Sequence, residues 1–325
     1  MLPAHFTKKV LGIIALQTLL SLGVASALTI SPAREELTGD KGESIAKTFL
    51  VINEQDTDQV LYTSVEAFDS QGESGTPNFT PGTDGLPSWI TITDKVIVKK
   101  GERVTIPYSV TIPQDADAGG HFAAIFLSTV PPSADGGQVS VGAKVGMLIL
   151  LKVTGEIKEE GGLSSFTIKE DKKVLTSVPI DFVYRFNNAG NDRVKPEGDI
   201  VIRNTLGMET ARVSANQNQG NVLPGSVRRF DVRYGEGDAP SVSAPFFDHV
   251  KYQMNNLAVG MYTAELGLSF GNEGKANASI TYFMFPWQLL SVVLGVLIVV
   301  ILLLMILVKK YNKWIIQQAR AAANQ

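Results

Sequence analysis

Residues 289–308 read LLSVVLGVLIVVILLLMILV, twenty positions without one charge. No other stretch limits the fold so strongly. At 1.5 Å rise per residue, about 20 helical residues match the ~30 Å hydrocarbon core of a bilayer. Only a helix or a closed barrel satisfies its backbone in lipid, and one apolar run cannot close a barrel. The alternative is a buried helix of a soluble protein, but such a helix rarely carries Leu, Val and Ile on every face at this length. The run is therefore read as a membrane-spanning helix. Trp287 and Trp314 flank it, where amphipathic rings favour the interface. Lys309, Lys310, Lys313 and Arg320 follow it, so the positive-inside rule puts residues 309–325, a basic tail, in the cytoplasm. Everything before Trp287 is then extracytoplasmic, and the expected location is a single-pass protein of the cell membrane.

The other end of the chain agrees. Lys8 and Lys9 form a basic region, residues 10–24 are apolar, and Ala25-Ser26-Ala27 is a small-x-small cleavage site. This predicts a secretory signal peptide over residues 1–27. An uncleaved first membrane helix is the other reading, which the cleavage site disfavours.

With two basic residues in the signal and four in the tail, 23 of the 29 Lys and Arg remain in the exported part. All 32 Asp and Glu lie there too, a formal charge of −9. Nucleic acid, whose binding depends on clustered positive charge, is excluded as a partner class. There is no cysteine, so an exported chain of this kind holds itself by its core alone, and thiolate chemistry is impossible.

Between the signal and the helix the chain reads as short strands separated by Gly, Pro, Asn and Asp clusters, with no convincing amphipathic helix. That is the pattern of an all-β protein built from immunoglobulin-like sandwiches. IAKTFLVIN, VLYTSVEAF and HFAAIFLST are three such strands. In residues 103–112, Pro107 points to an edge position or a bulge. VGMLILLKV is too short to span a bilayer and reads as a central strand buried on both faces. GEIKEEGG is a composition break. The expected organisation is a first domain over 28–155, a linker at 156–162 and a second domain over 163–285. The halves echo one another: FLVINEQDTDQV with VYRFNNAGNDRV, KKGERVTIPYSV with LPGSVRRFDVRY, and GGHFAAIFLS with VGMYTAELGLS. Two copies of one sandwich unit account for this, against chance likeness among β-proteins.

Trp89-Ile90, then V-x-V-x-x-Gly ahead of a strand, then I-P-x-D-A-x-x-G-G-H-F-A-A-I-F resembles the N-terminal domain of bacterial WxL-interacting surface proteins. The motif spans residues 89–129. The layout of signal, two immunoglobulin-like domains, membrane helix and basic tail is similar along most of the chain. The resemblance implies a first domain linked to peptidoglycan and a second to host or partner proteins. It carries no ligand-contacting residue across.

Little points to an enzyme. His121 and His249 are far apart and in no zinc-binding spacing, and no nucleophile elbow, P-loop or dinucleotide fingerprint is present. No cofactor is expected. Asp56 with Asp58 and Asp115 with Asp117 share turns and are candidate calcium ligands, though acidic turns are commonly just solvated. Residues 69–88 read as a long surface loop, the expected interaction site, with Asp69, Asn78, Phe79, Asp84 and the adjacent Trp89 as its candidate residues. Trp89 also reads as a core anchor. The expected function is a membrane-anchored binding protein engaging a cell-wall polymer or another surface protein. The alternative is a chaperone or assembly factor that pairs an edge strand with exported subunits.

Overall fold

The computed structural model of the chain describes residues 28–82, 84–131 and 144–323, with side chains through 317. The expected signal peptide, residues 1–27, lies outside them, as does the PPSADGGQ turn beyond Pro131. The architecture is the all-β one read from the sequence: immunoglobulin-like sandwiches followed by one apolar helix. There are two compact units. The first ends at Ile157 and the second begins at Lys158, with the short segment Ser70–Thr76 grouped with the second.

The first unit contains β1 (Leu28–Ser31), β2 (Arg34–Gly39), β3 (Ser44–Asn53), β4 (Gln59–Gln71), β5 (Thr76–Pro81), the short helix α1 (Leu86–Trp89), β6 (Ile90–Ile92), β7 (Lys95–Val98), β8 (Arg103–Thr111), β9 (Gly119–Ser128) and β10 (Lys144–Val153). One sheet has the order β1-β3-β8-β6. The other runs β2-β10-β9-β4-β5, with β7 pairing on β4. This is an immunoglobulin-type order whose first strand is shared between the sheets. In β8, Ile106, Tyr108 and Val110 are buried at every second position, the alternation a half-buried strand requires. Together with Phe49, Leu61, Ile125, Leu127, Met147 and Ile149 they fill the space between the sheets. β6 pairs only with Tyr108–Val110, so β8 has a free edge at Pro107, where no N–H is needed. β10 is central, between β2 and β9, and Ile149, Leu150 and Leu151 are buried on its two faces.

The second unit contains β11 (Gly161–Ile168), β12 (Val174–Leu175), β13 (Ile180–Asn188), β14 (Glu197–Asn204), β15 (Glu209–Ser214), β16 (Ser226–Tyr234), a helix α2 (Phe246–Asn255), β17 (Gly260–Phe270) and β18 (Gly274–Met284). Its sheets run β11-β13-β16 and β12-β18-β17-β14-β15. The core is aromatic: Phe182, Tyr184 and Phe186 from β13 alternate inward, and Tyr184 stacks on Phe230 at 4.7 Å. The strand order repeats that of the first unit. Among the described residues it lacks strand counterparts of β6 and β7, the latter being matched only by the isolated bridge between Val194 and Val222.

The repeat extends to single residues. Asn53 ends β3 and Asn188 ends β13, and both are fully buried. Asn53 Nδ2 donates to the carbonyls of Thr57 (2.9 Å), Val98 (3.1 Å) and Lys99 (3.1 Å). Its Oδ1 accepts the N–H of Gln55 at 3.0 Å. Asn188 Nδ2 donates to Asp192 (2.8 Å) and Val222 (2.9 Å), and its Oδ1 accepts from Gly190 at 3.0 Å. Each amide satisfies backbone groups of two loops that sheet pairing cannot reach, the requirement for any buried polar group. The likeness of FLVINEQDTDQV and VYRFNNAGNDRV is therefore a likeness of structure.

Several expectations need correction. Residues 69–88 are not a loop. Asp69 lies in β4, Asn78 and Phe79 lie in β5, and α1 follows. The cause is a second cluster on the outer face of the sheet: Phe79 packs edge-on against Phe126 (4.8 Å) and Phe68 (6.0 Å), and Phe68 against Phe122 (5.8 Å). Gly146 makes room for it, since a Cβ there would stand 2.5 Å from the Phe126 ring. Strand begins at Gly161, within the expected linker. The second unit does hold a helix, α2. Finally, the apolar helix α3 spans Trp287–Ala323, beyond the expected 289–308 and through most of the tail. KKYNKWIIQQARAAA contains no Gly or Pro to stop it and is rich in good helix formers.

Candidate functional site

The residues singled out as an interaction loop lie on different elements, β4, β5 and α1, with Asp84 between the last two. Asp69, Asn78 and Asp84 are exposed. Phe79 is 37% exposed, its ring engaged in the aromatic cluster. Trp89 is half-buried at the end of α1 and packs on the core with its ring 4.6 Å from His121. His121 Nε2 lies 2.9 Å from the carbonyl of Asp117, so the imidazole bridges a turn and a tryptophan.

The first acidic turn is structural. Asp56 pairs with Lys100 Nζ at 2.8 Å, and this hydrogen-bonded ammonium holds its carboxyl below the usual range. Asp58 Oδ1 accepts the Lys100 backbone N–H at 2.8 Å. The calcium candidates Asp56 and Asp58 thus serve one lysine, joining the turn after β3 to the turn before β8. Asp115 and Asp117 lie in the turn before β9. Among the described residues, no three His, Asp or Glu side chains converge as metal ligands do.

A different surface has the form of a site. On the outer face of β15-β14-β17-β18, directly opposed residues line up in rows. Asp199, Gly267 and Asn277 form one row; Arg212, Val201, Glu265 and Ser279 form the next. Gly267 has no side chain, so the rows sink into an open groove of ≈ 670 Å³. Gly198 lets the strands approach there: with φ 152° its Cβ would stand 2.0 Å from the Gly267 carbonyl. Arg212 is fixed by two carboxylates, Asp199 at 3.2 Å and Glu209 at 2.9 Å. The bidentate Arg212 guanidinium holds the Glu209 carboxyl below its ordinary value. Glu265 is held by Arg203 Nε at 3.0 Å. The groove therefore presents pre-oriented donors and acceptors with their charges already paired. Such a surface suits hydrogen-bonding ligands of modest charge, such as a glycan or a polar strand.

No family model matches the sequence, and no curated protein matches it. Solved structures give distant likenesses. The class 5 fimbriae chaperone CfaA is 15% identical, over 80% of this chain and 100% of that one, at a TM-score of 0.37. The E. coli chaperone DraB is 12% identical over 80% and 97%, at 0.34. A protein of unknown function from Porphyromonas gingivalis is 11% identical over 78% and 99%, at 0.27. The fold described above rests on this chain's own strand pairing.

Sequence reasoning passed over the groove because its residues are the outward, alternate positions of ordinary strands. The available signal was Gly267 inside AELGLSF, since a glycine within a strand marks close approach of backbone or ligand.

Proposed function

We propose that this chain is a non-enzymatic, membrane-anchored binding protein. In this reading α3 spans the membrane with its C-terminus inside, and the sandwiches stand outside, where they hold a cell-wall polymer or another surface protein. The observation that carries it is the groove of Asp199, Arg212, Glu265, Asn277 and Ser279, built on the unit that leads directly into α3. Its carboxylates are tied to arginines, which equips it for recognition rather than proton transfer. The resemblance to WxL-interacting proteins supports the same class. The test is retention of the full chain, in detergent, on purified cell wall and on an envelope protein extract. Retention by either, lost in Arg212→Ala, is the expected result. Retention by neither sinks the reading.

Edge-strand pairing with exported subunits is the second reading. It is favoured by β15, a six-residue edge strand with one side open. β10 is less open to a client, since β2 pairs with it from Leu148 to Val153. A chaperone would co-purify with several unfolded clients, and proline at Arg212 or Val213 in β15 would abolish this.

A further inference from the structure

We propose that the second unit carries a lipid-seating collar around the start of α3, formed by one face of α2 and the last residues of β17 and β18, and that its partner is the surface of the bilayer that α3 crosses. This rests on the reading of α3 as membrane-spanning.

The first observation is a step in polarity. Along β18 the outward positions are Lys275, Asn277, Ser279 and Thr281, all polar, and then Phe283; Phe285 follows the strand. Along β17 they are Ser269, Gly267, Glu265, Thr263 and then Met261. Met261 stands directly opposite Phe283, and Phe283 opposite Val174 of β12. One apolar row thus crosses three strands at the single level where the chain enters α3. Its members are open to solvent: Val174 is 60% exposed and Met261 53%.

The second observation is α2. Phe247, Val250 and Met254 follow one another at helical spacing on one face, with Lys251 beside them. Phe247 is 73% exposed and Met254 62%. Leu257 and Val259, in the link to β17, are exposed as well. An apolar helical face with a lysine at its margin is the composition of helices that lie in the headgroup region, where the lysine stem extends toward phosphate.

The third observation ties α2 to the membrane helix. Gln253 points the other way, into the protein, and is 2% exposed. Its Nε2 donates to Gln288 Oε1 at 2.5 Å, and its Oε1 accepts the N–H of Leu289 at 2.9 Å. That N–H belongs to the first turn of α3, where no intrahelical acceptor exists. Phe246 also packs on Trp287 at 6.1 Å. α2 is thus fixed to the entry of α3, at the level where Trp287 meets the interface. A soluble surface rarely leaves so contiguous an apolar area uncovered. Here it is continuous with a helix whose own lipid-facing residues are the most apolar in the chain.

The natural absence of cysteine permits a direct test. Phe247→Cys, Met254→Cys, Val299→Cys and Ser269→Cys are each labelled with bimane in the full chain and reconstituted into phosphatidylcholine–phosphatidylglycerol vesicles. Spin-labelled phospholipid and aqueous iodide are the quenchers. The expected result is strong lipid quenching at Val299, clear lipid quenching with little iodide quenching at positions 247 and 254, and the reverse at 269. Lipid quenching at 299 with iodide quenching at both 247 and 254 overturns the collar while leaving the membrane helix in place. Protection of 247 and 254 from both quenchers means a protein covers the face, and also overturns it. No lipid quenching at 299 overturns the membrane reading itself.

Discussion

Asn53→Ala is expected to be among the most damaging single changes in the first unit. The side chain is fully buried and contacts four backbone groups: the carbonyls of Thr57, Val98 and Lys99 and the N–H of Gln55. An amide has two N–H donors, so two of the three carbonyls share one hydrogen, and the number of bonds is about three. At about 1 kcal/mol net for each bond, with a further ~1–3 kcal/mol for a buried group left without a partner, the loss comes to ~4–6 kcal/mol. That is a large part of the ~5–15 kcal/mol that holds a typical domain folded. The assay is urea unfolding of the chain in detergent with Trp287 and Trp314 changed to Phe, so that Trp89 alone reports on the first unit. At an m-value of ~2 kcal/mol/M, the midpoint should fall by ~2–3 M. Asn53→Asp provides a check on mechanism. It keeps the shape but turns an acceptor toward the carbonyls, so at neutral pH it should cost at least as much as alanine. Part of the loss should return as the pH falls and the carboxyl gains a proton to donate. A drop below ~1 kcal/mol for Asn53→Ala would refute the reasoning, since it would mean that water reaches these carbonyls freely.

Three further outcomes follow from particular residues. Burial raises the phenols of Tyr184 and Tyr282, and burial with the nearby Glu35 charge pushes Tyr108 up to about 12. The unfolded chain loses these protons near pH 10 while the folded chain keeps them, so stability is complete below pH 10 and falls as the pH rises toward 12; a melting-temperature series from pH 8 to 12 reads this. Gly146→Ala forces its Cβ against the Phe126 ring, displacing the aromatic cluster, and should cost ~1–3 kcal/mol in urea unfolding. Arg212→Ala should leave the melting temperature unchanged, its ion pairs being exposed, while removing ligand retention.

Much of the fold was legible because its signals are local. The charge-free run at 289–308 gives a helix by length alone, and alternation such as Ile106, Tyr108 and Val110 gives strands. The glycine turns and strands echoed between the two halves point to the repeat; that Asn53 and Asn188 play one role shows only in the structure. What was hidden depends on contacts between distant residues. The stretch after Asp69 has a loop's composition, yet Phe79 reaches Phe68 and Phe126 and draws it into a hairpin. The face of α2 at Phe247, Val250 and Met254 was present in FFDHVKYQMN, but the stretch is one short helix among many strands. The groove needed register, because only strand pairing brings Asp199, Gly267 and Asn277 into one row.

The most direct test of the central claim is photo-crosslinking in the native envelope from a benzophenone amino acid at Ser279, in the groove. A single discrete adduct with a wall polymer or one surface protein is the expected result. No adduct, or a spread of adducts with unfolded exported subunits, would contradict it.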